Sequence, residues 1–183
     1  MSAPVDSLHV MAYIVQRCEE MAIPVNTTKL QKLMYCCYGA CLGRFNYRIC
    51  DESPEAWEYG PVFPRTLKVL QTHGVDYFRL KSSEIVNRDF PRPVKDLINS
   101  ALRTFGSLAP NQLVNWTRSR GSPWDATSSG GKLLREQIPD GNIRRHFQTH
   151  VLAQRDPDFA QQVKGDIGHD EKQAHLDCIT NAT

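Results

Sequence analysis

The 183-residue sequence has no long apolar run, no basic leader segment and little net charge. Because no stretch of about 18 apolar residues occurs, a membrane-spanning helix is excluded. The first residues show no basic segment followed by an apolar one, so we expect no secretory signal and a cytoplasmic protein. In that compartment, the six cysteines are expected to be free thiols rather than disulfides.

Charge is spread unevenly along the chain, although the formal net charge is only +2. Residues 88–145 hold ten basic and five acidic side chains, whereas residues 155–183 hold three basic and six acidic ones. An ordinary solvated surface can carry the basic surplus, so nucleic acid is not the expected partner. We expect a helical domain at residues 1–154 and a weakly ordered acidic tail at 155–183, which has few apolar residues to bury.

Helical periodicity dominates residues 1–154. Apolar residues recur every three or four positions in about six segments, which predicts a compact, mostly α domain with at most a short β-hairpin near residues 47–59. The third helix is expected to end at His73-Gly74, and residues 75–90 to be irregular. The predicted helix starts are Asp6 or Ser7, Asn26, Pro64, Pro91 or Pro93, Pro110, and Asp140 as an N-cap.

Catalytic and metal-binding motifs are poorly supported. Cys37 and Cys41 share a predicted helix face, but no second cysteine pair accompanies them, so core thiols are favoured over a zinc site. His146 and His150 are four residues apart and lack the glutamate of a zinc-protease motif, so a hydrolase that uses them ranks last. The sequence therefore predicts no catalytic residue, no cofactor, no metal and no enzyme.

Two loops combine aromatic residues with glycine and proline. The first, at residues 56–64, predicts a chain reversal followed by a helix, and the second lies at residues 117–124. Tryptophan, tyrosine and arginine are typical anchors of protein interfaces, yet aromatic side chains also pack with each other in cores, so both interpretations stay open. The candidate partner-binding residues in these loops are Trp57, Tyr59, Gly60, Pro61, Arg118, Arg120 and Trp124.

Three blocks carry a family resemblance. They are Thr-Lys-Leu-Gln-Lys-Leu-Met-Tyr at residues 28–35, Glu-Ala-Trp-Glu-Tyr-Gly-Pro-Val at residues 55–62, and Thr117 with Pro123-Trp124. In order and spacing they resemble the Panacea domain of SocA-like antitoxins, over about residues 5–152. Members usually have a histidine after the threonine of the third block, and Arg118 stands at that position here.

The resemblance implies a mostly helical fold with a short hairpin and no established catalytic activity. Members typically bind and neutralise a toxin encoded beside them, and the family is also met in mobile-element and phage-associated proteins. The expected partner is therefore a cognate protein toxin, with no membrane involved. Two alternatives are an adaptor that delivers the toxin to an energy-dependent protease and a nucleic-acid-binding regulator. The regulator would use Arg88, Arg92, Lys95, Arg118 and Arg120.

The second and third blocks are expected to meet in space. In that arrangement Trp57 would be mainly architectural, whereas Tyr59 and the Arg118–Arg120 edge would contact the partner. The acidic tail would either fold on binding or mimic an acidic substrate of the toxin.

Overall fold

The computed structural model describes residues 4–82 and 90–152, which form helices around a small antiparallel sheet. The mostly α prediction is confirmed, and within these two ranges no helix is long and apolar enough to cross a membrane. The elements are α1 Ser7–Glu20, α2 Thr27–Phe45, β1 Glu55–Trp57, β2 Gly60–Val62, α3 Pro64–Ser82, α4 Arg92–Phe105, α5 Pro110–Arg118, α6 Pro123–Ser128, β3 Glu136–Gln137, α7 Asp140–His146 and a π-helical turn Phe147–Val151.

Helix α2 is the centre of the fold. It contacts α1, α3, α4, α5, α7 and β2, and every residue from 29 to 43 is buried. The side-chain oxygen of Asn26 caps it by accepting a hydrogen bond from the Lys29 amide at 2.9 Å, as predicted. Surrounded on all sides, the helix buries its whole circumference rather than a single apolar stripe.

The cysteines lie in this core. Five of them are buried and free, which confirms the core-thiol prediction for these positions: Cys18, Cys36, Cys37, Cys41 and Cys50. Burial raises the pKa of each thiol, because a thiolate is poorly solvated there. These thiols therefore behave as small apolar side chains.

The C-terminal part of α3 corrects the sequence prediction. Gly74 breaks the helix with φ 72° and ψ −176°, at the place where an end is expected. The chain then resumes helical structure to Ser82, although residues 75–90 are predicted to be irregular. Fully buried Phe78 packs this second segment into the core, where α3 contacts α1. Residues 83–89 and the acidic tail lie outside the described ranges.

The start of α7 is a second correction. Pro139 occupies the N-cap position and Asp140 is the first helical residue, so Asp140 does not cap the helix. Its carboxylate instead accepts a hydrogen bond from the Tyr38 hydroxyl at 2.7 Å and pairs with Arg48 at 3.3 Å. Asp140 therefore ties α7 to α2.

The sheet has the strand order β2-β1-β3, with β2 against α2 and α5 and with β1 and β3 against α6. In the β1–β2 hairpin, Glu55 faces Val62 and Trp57 faces Gly60. The hairpin thus occupies residues 55–62 rather than the region near 47–59. Strand β3 pairs with the other edge of β1, with Ala56 opposite Glu136, and the sequence prediction does not include it.

Candidate partner-binding site

Polar side chains on α2 hold the hairpin and the ends of two neighbouring helices, α3 and α4. Lys29, Gln31 and Lys32 are at most 4% exposed. The Lys29 amine donates to the Gly106 carbonyl at 2.8 Å, which fixes the end of α4. Gln31 accepts from the Phe63 amide at 2.8 Å and donates to Thr66 Oγ1 at 2.9 Å, which fixes the start of α3.

Lys32 fixes the hairpin itself. Its Nζ donates to the Pro61 carbonyl at 2.8 Å, while its side chain is 1% exposed. Because burial disfavours the charged form, the pKa of Lys32 is lowered to about 7, with Arg118 lowering it further and Cys36 opposing the shift. The first motif block therefore supplies polar supports for the second block.

Gly60 is required by its surroundings. Its φ of 92° lies in the region that favours glycine, and a Cβ there would lie 2.7 Å from Thr117 Oγ1 and 3.0 Å from Lys32 Cε. The following Pro61 is buried, needs no amide partner and gives its carbonyl to Lys32. These two residues bring β2 close to α2 and α5.

The second and third motif blocks meet through two tryptophans, as expected. The Trp124 indole N–H donates to the Trp57 carbonyl at 2.8 Å. The Arg118 guanidinium lies over the Trp124 ring at 4.7 Å, and the Arg135 guanidinium lies over the Trp57 ring at 4.9 Å. Both arginines are exposed, so the tryptophans present two positive groups to solvent.

A cavity of about 430 Å³ opens beside this pair, and we call it the hairpin cavity. Trp57, Glu58 and Tyr59 of the hairpin line it, together with Leu134 and Arg135 just before β3. Its remaining lining residues are Thr27, Thr28, Gln31, Lys32, Val62, Leu67 and Gln71. Tyr59 is 64% exposed and Leu134 is 41% exposed, so the rim is apolar and open to solvent.

The structure brings together most of the predicted partner-binding residues. Trp57 and Tyr59 line the cavity, Gly60 and Pro61 shape the strand beside it, and the Arg118–Trp124 stack adjoins Trp57. Arg120 is exposed, and no described contact joins it to the cavity. Whether any of these residues contacts a partner stays a prediction.

The aromatic residues in the two loops and next to them do not form a single cluster; they are Trp57, Tyr59, Phe63, Trp116 and Trp124. Phe63 packs edge-on against Tyr38 at 5.5 Å. Trp116 packs instead against Phe105 at 4.8 Å and Phe147 at 6.0 Å. Trp57, Trp124 and exposed Tyr59 lie together at the hairpin. The core interpretation therefore applies to Phe63 and Trp116, and the surface interpretation applies to the hairpin group.

The histidine pair lies elsewhere, at the end of α7. The rings of His146 and His150 stack with centroids 4.7 Å apart. Burial and the neighbouring His150 lower the pKa of His146 to about 4. Within residues 4–82 and 90–152, no group of three or more His, Cys, Asp or Glu side chains is arranged to hold a metal ion.

Sequence reasoning did not identify four lining residues of the hairpin cavity, which are Gln31, Lys32, Leu134 and Arg135. Gln31 and Lys32 sit inside an otherwise nearly uncharged stretch at residues 30–43, and that composition is the signal of a helix buried all round. Leu134 and Arg135 lie in a polar segment without a strand pattern, so no local signal places them beside Trp57.

These features define a helical domain whose hairpin presents aromatic and basic side chains to solvent. The family described as "Antitoxin SocA-like, Panacea domain" matches residues 30–125, and this chain belongs to that family. Antitoxin SocA of Caulobacter vibrioides (strain NA1000 / CB15N) is 26% identical over 135 residues, which are 69% of this chain and 72% of that relative. No solved structure matches the chain.

Proposed function

We propose that this protein is an antitoxin that binds a cognate protein toxin directly and neutralises it. Membership of the SocA-like antitoxin family carries the proposal, and the similarity to Antitoxin SocA supports it over more than two thirds of both chains. The toxin is expected to be encoded beside this chain.

The surface around the hairpin cavity supports direct binding. Tyr59 and Leu134 are large apolar side chains exposed at its rim, and Leu133 beside them is 54% exposed. Exposed apolar side chains next to a cavity are typical of protein-interaction sites. The buried residues of the same motif blocks are already engaged in holding the fold, so the exposed rim is the part left to contact a toxin.

Co-expression tests the proposal. The product of a neighbouring reading frame should arrest growth when expressed alone and be tolerated when this chain is present, and the two proteins should co-purify. If no neighbouring product is toxic, or if the toxic product forms no complex with this chain, the proposal is wrong. The half-life of the toxin should be unchanged by the chain, whereas a shorter half-life would indicate delivery to a protease.

A further inference from the structure

The hairpin cavity opens to solvent and is lined by aromatic, aliphatic and charged side chains. We propose that it receives a single apolar side chain from an extended segment of the partner protein, and that Arg135 binds a carboxylate next to that side chain. This inference rests on the proposed function for the class of partner and adds the chemistry of the segment that docks.

The apolar part of the inference follows from the lining. Val62, Leu67 and Leu134 join the two aromatic residues of the hairpin, while polar groups lie mainly on the α2 side. A volume of about 430 Å³ lies within the range of sites that bury a compact ligand. An aromatic or large aliphatic side chain would remove this apolar surface from water, which is the main favourable contribution at interface anchors.

The acidic part follows from Arg135. Among the described residues, the Arg135 guanidinium has no hydrogen-bond or ion-pair partner, and its only side-chain interaction is the stack on Trp57. Stacking holds the plane of the guanidinium while its N–H groups remain available to a carboxylate, which can accept two of them. Its orientation is therefore set before a partner arrives, which reduces the entropy lost on binding.

The neighbouring charges favour a single carboxylate over a phosphate backbone as the ligand of Arg135. Arg118 adds a second guanidinium to the same tryptophan pair, because it stacks on Trp124, whose indole donates to the Trp57 carbonyl. However, Glu58 lines the cavity and Glu136 directly follows Arg135, and both are exposed. A phosphate backbone carries several closely spaced negative charges, so these carboxylates would repel it more strongly than they would repel a single acidic side chain.

Leu134 and Arg135 lie beyond residues 30–125, the part that the family model matches. Most of the lining, including Trp57 and Tyr59, therefore comes from the matched part, whereas Thr27, Thr28, Leu134 and Arg135 come from outside it. We infer that the matched part supplies most of the pocket, while Arg135 selects the charge of the docking segment.

Selection from a random library of short displayed peptides tests the inference without knowledge of the toxin. The full chain should enrich peptides with an aromatic or large aliphatic residue adjacent to Asp or Glu. Synthetic copies should bind Tyr59→Ala and Arg135→Glu at least about tenfold more weakly than the wild type, a change typical of losing one anchor. Arg135→Lys should retain part of the affinity, because it keeps the charge but loses the planar fork.

Two matched controls separate this site from the rest of the surface. Arg92→Glu reverses a charge that is 94% exposed on α4, and Leu80→Ala truncates an apolar side chain that is 75% exposed beyond the Gly74 break. Both should bind the peptides as the wild type does. Enrichment of basic peptides, affinity unchanged by Arg135→Glu, competition by single-stranded DNA, or failure to enrich any peptide would overturn the inference.

The outcomes distinguish this inference from the proposed function. A chain that binds acidic, apolar peptides through Arg135 but tolerates no toxin in co-expression would have the docking site without the antitoxin function. A chain that neutralises its toxin while the wild type and Arg135→Glu bind the peptides equally would have the function without this site.

Discussion

Replacing Lys32 by methionine tests whether a buried amine supports the hairpin. Methionine has a similar length and no charge, so it keeps most of the packing around the side chain and removes the ionisable group. The variant also loses the hydrogen bond to the Pro61 carbonyl, which lowers stability at every pH by about 1 to 3 kcal/mol. This loss is the same at all pH values. The informative quantity is therefore how the difference in free energy of unfolding between the wild type and Lys32→Met changes with pH.

The magnitude follows from the lowered pKa. Burial brings the pKa of Lys32 to about 7 from 10.5. Well below pH 7, Lys32 carries its proton in both the folded and the unfolded chain. The free energy of unfolding of the wild type is then lowered by the whole cost of burying the charged amine. Between about pH 7 and 10.5 the unfolded chain holds a proton that the folded chain has released, so stability rises with pH. Each pH unit in this window corresponds to about 1.4 kcal/mol.

Urea unfolding at pH 6 and pH 8 provides the measurement. The free energy of unfolding of the wild type should rise by about 1 to 2 kcal/mol relative to Lys32→Met between these values, since Lys32 loses its proton in the folded state across this range. Taking the difference removes the contributions of histidines and cysteines, which both proteins share. A difference that stays constant from pH 6 to pH 8 would refute the account of a desolvated amine.

Two further predictions concern a glycine of the hairpin and a histidine at the end of α7. Gly60→Ala should lower the free energy of unfolding by at least about 2 kcal/mol, because it combines a positive φ with a Cβ contact of 2.7 Å to Thr117 Oγ1. Gly141→Ala, where a Cβ meets nothing within 4 Å, should change it by less than about 1 kcal/mol, and equal losses in urea unfolding would contradict the close approach at Gly60. The pKa of His146 is lowered to about 4, so the unfolded chain takes up a proton first as pH falls from about 6.5, and stability should drop by up to about 3 kcal/mol. In His146→Gln this part of the acid destabilisation should be absent from unfolding curves between pH 4 and pH 7, and its persistence would rule out that histidine as the source.

The starts of α1, α2 and α5 were predictable because local chemistry fixes them. Asp6 accepts a hydrogen bond from the Leu8 amide at 2.7 Å, and Pro110 occupies the first position of α5. Gly74 likewise breaks α3 where the sequence indicates an end. The helix beyond Gly74 was not predictable, since its formation depends on burying Phe78 in a core built from distant segments.

The candidate site was predictable only in part, for a similar reason. The hairpin residues Trp57 and Tyr59 carry a family signature and an unusual composition, so the sequence points to them. Lys32 is a lysine that an isolated amphipathic helix would expose, and only the hairpin packed above it makes it buried. Arg135 reaches Trp57 because β3 pairs with β1 across some eighty residues of chain, and the two residues of β3 have no strand pattern of their own.

The central claim is that the exposed rim of the hairpin cavity binds the partner while the buried residues of the same motif blocks hold the fold. Calorimetric titration of the toxin identified by co-expression into the wild type and Tyr59→Ala, with urea unfolding of both, tests it most directly. The account predicts a dissociation constant at least about tenfold higher for Tyr59→Ala, with an unchanged unfolding midpoint, because the side chain is 64% exposed. An unchanged dissociation constant, or weaker binding that only accompanies a loss of stability, would contradict it.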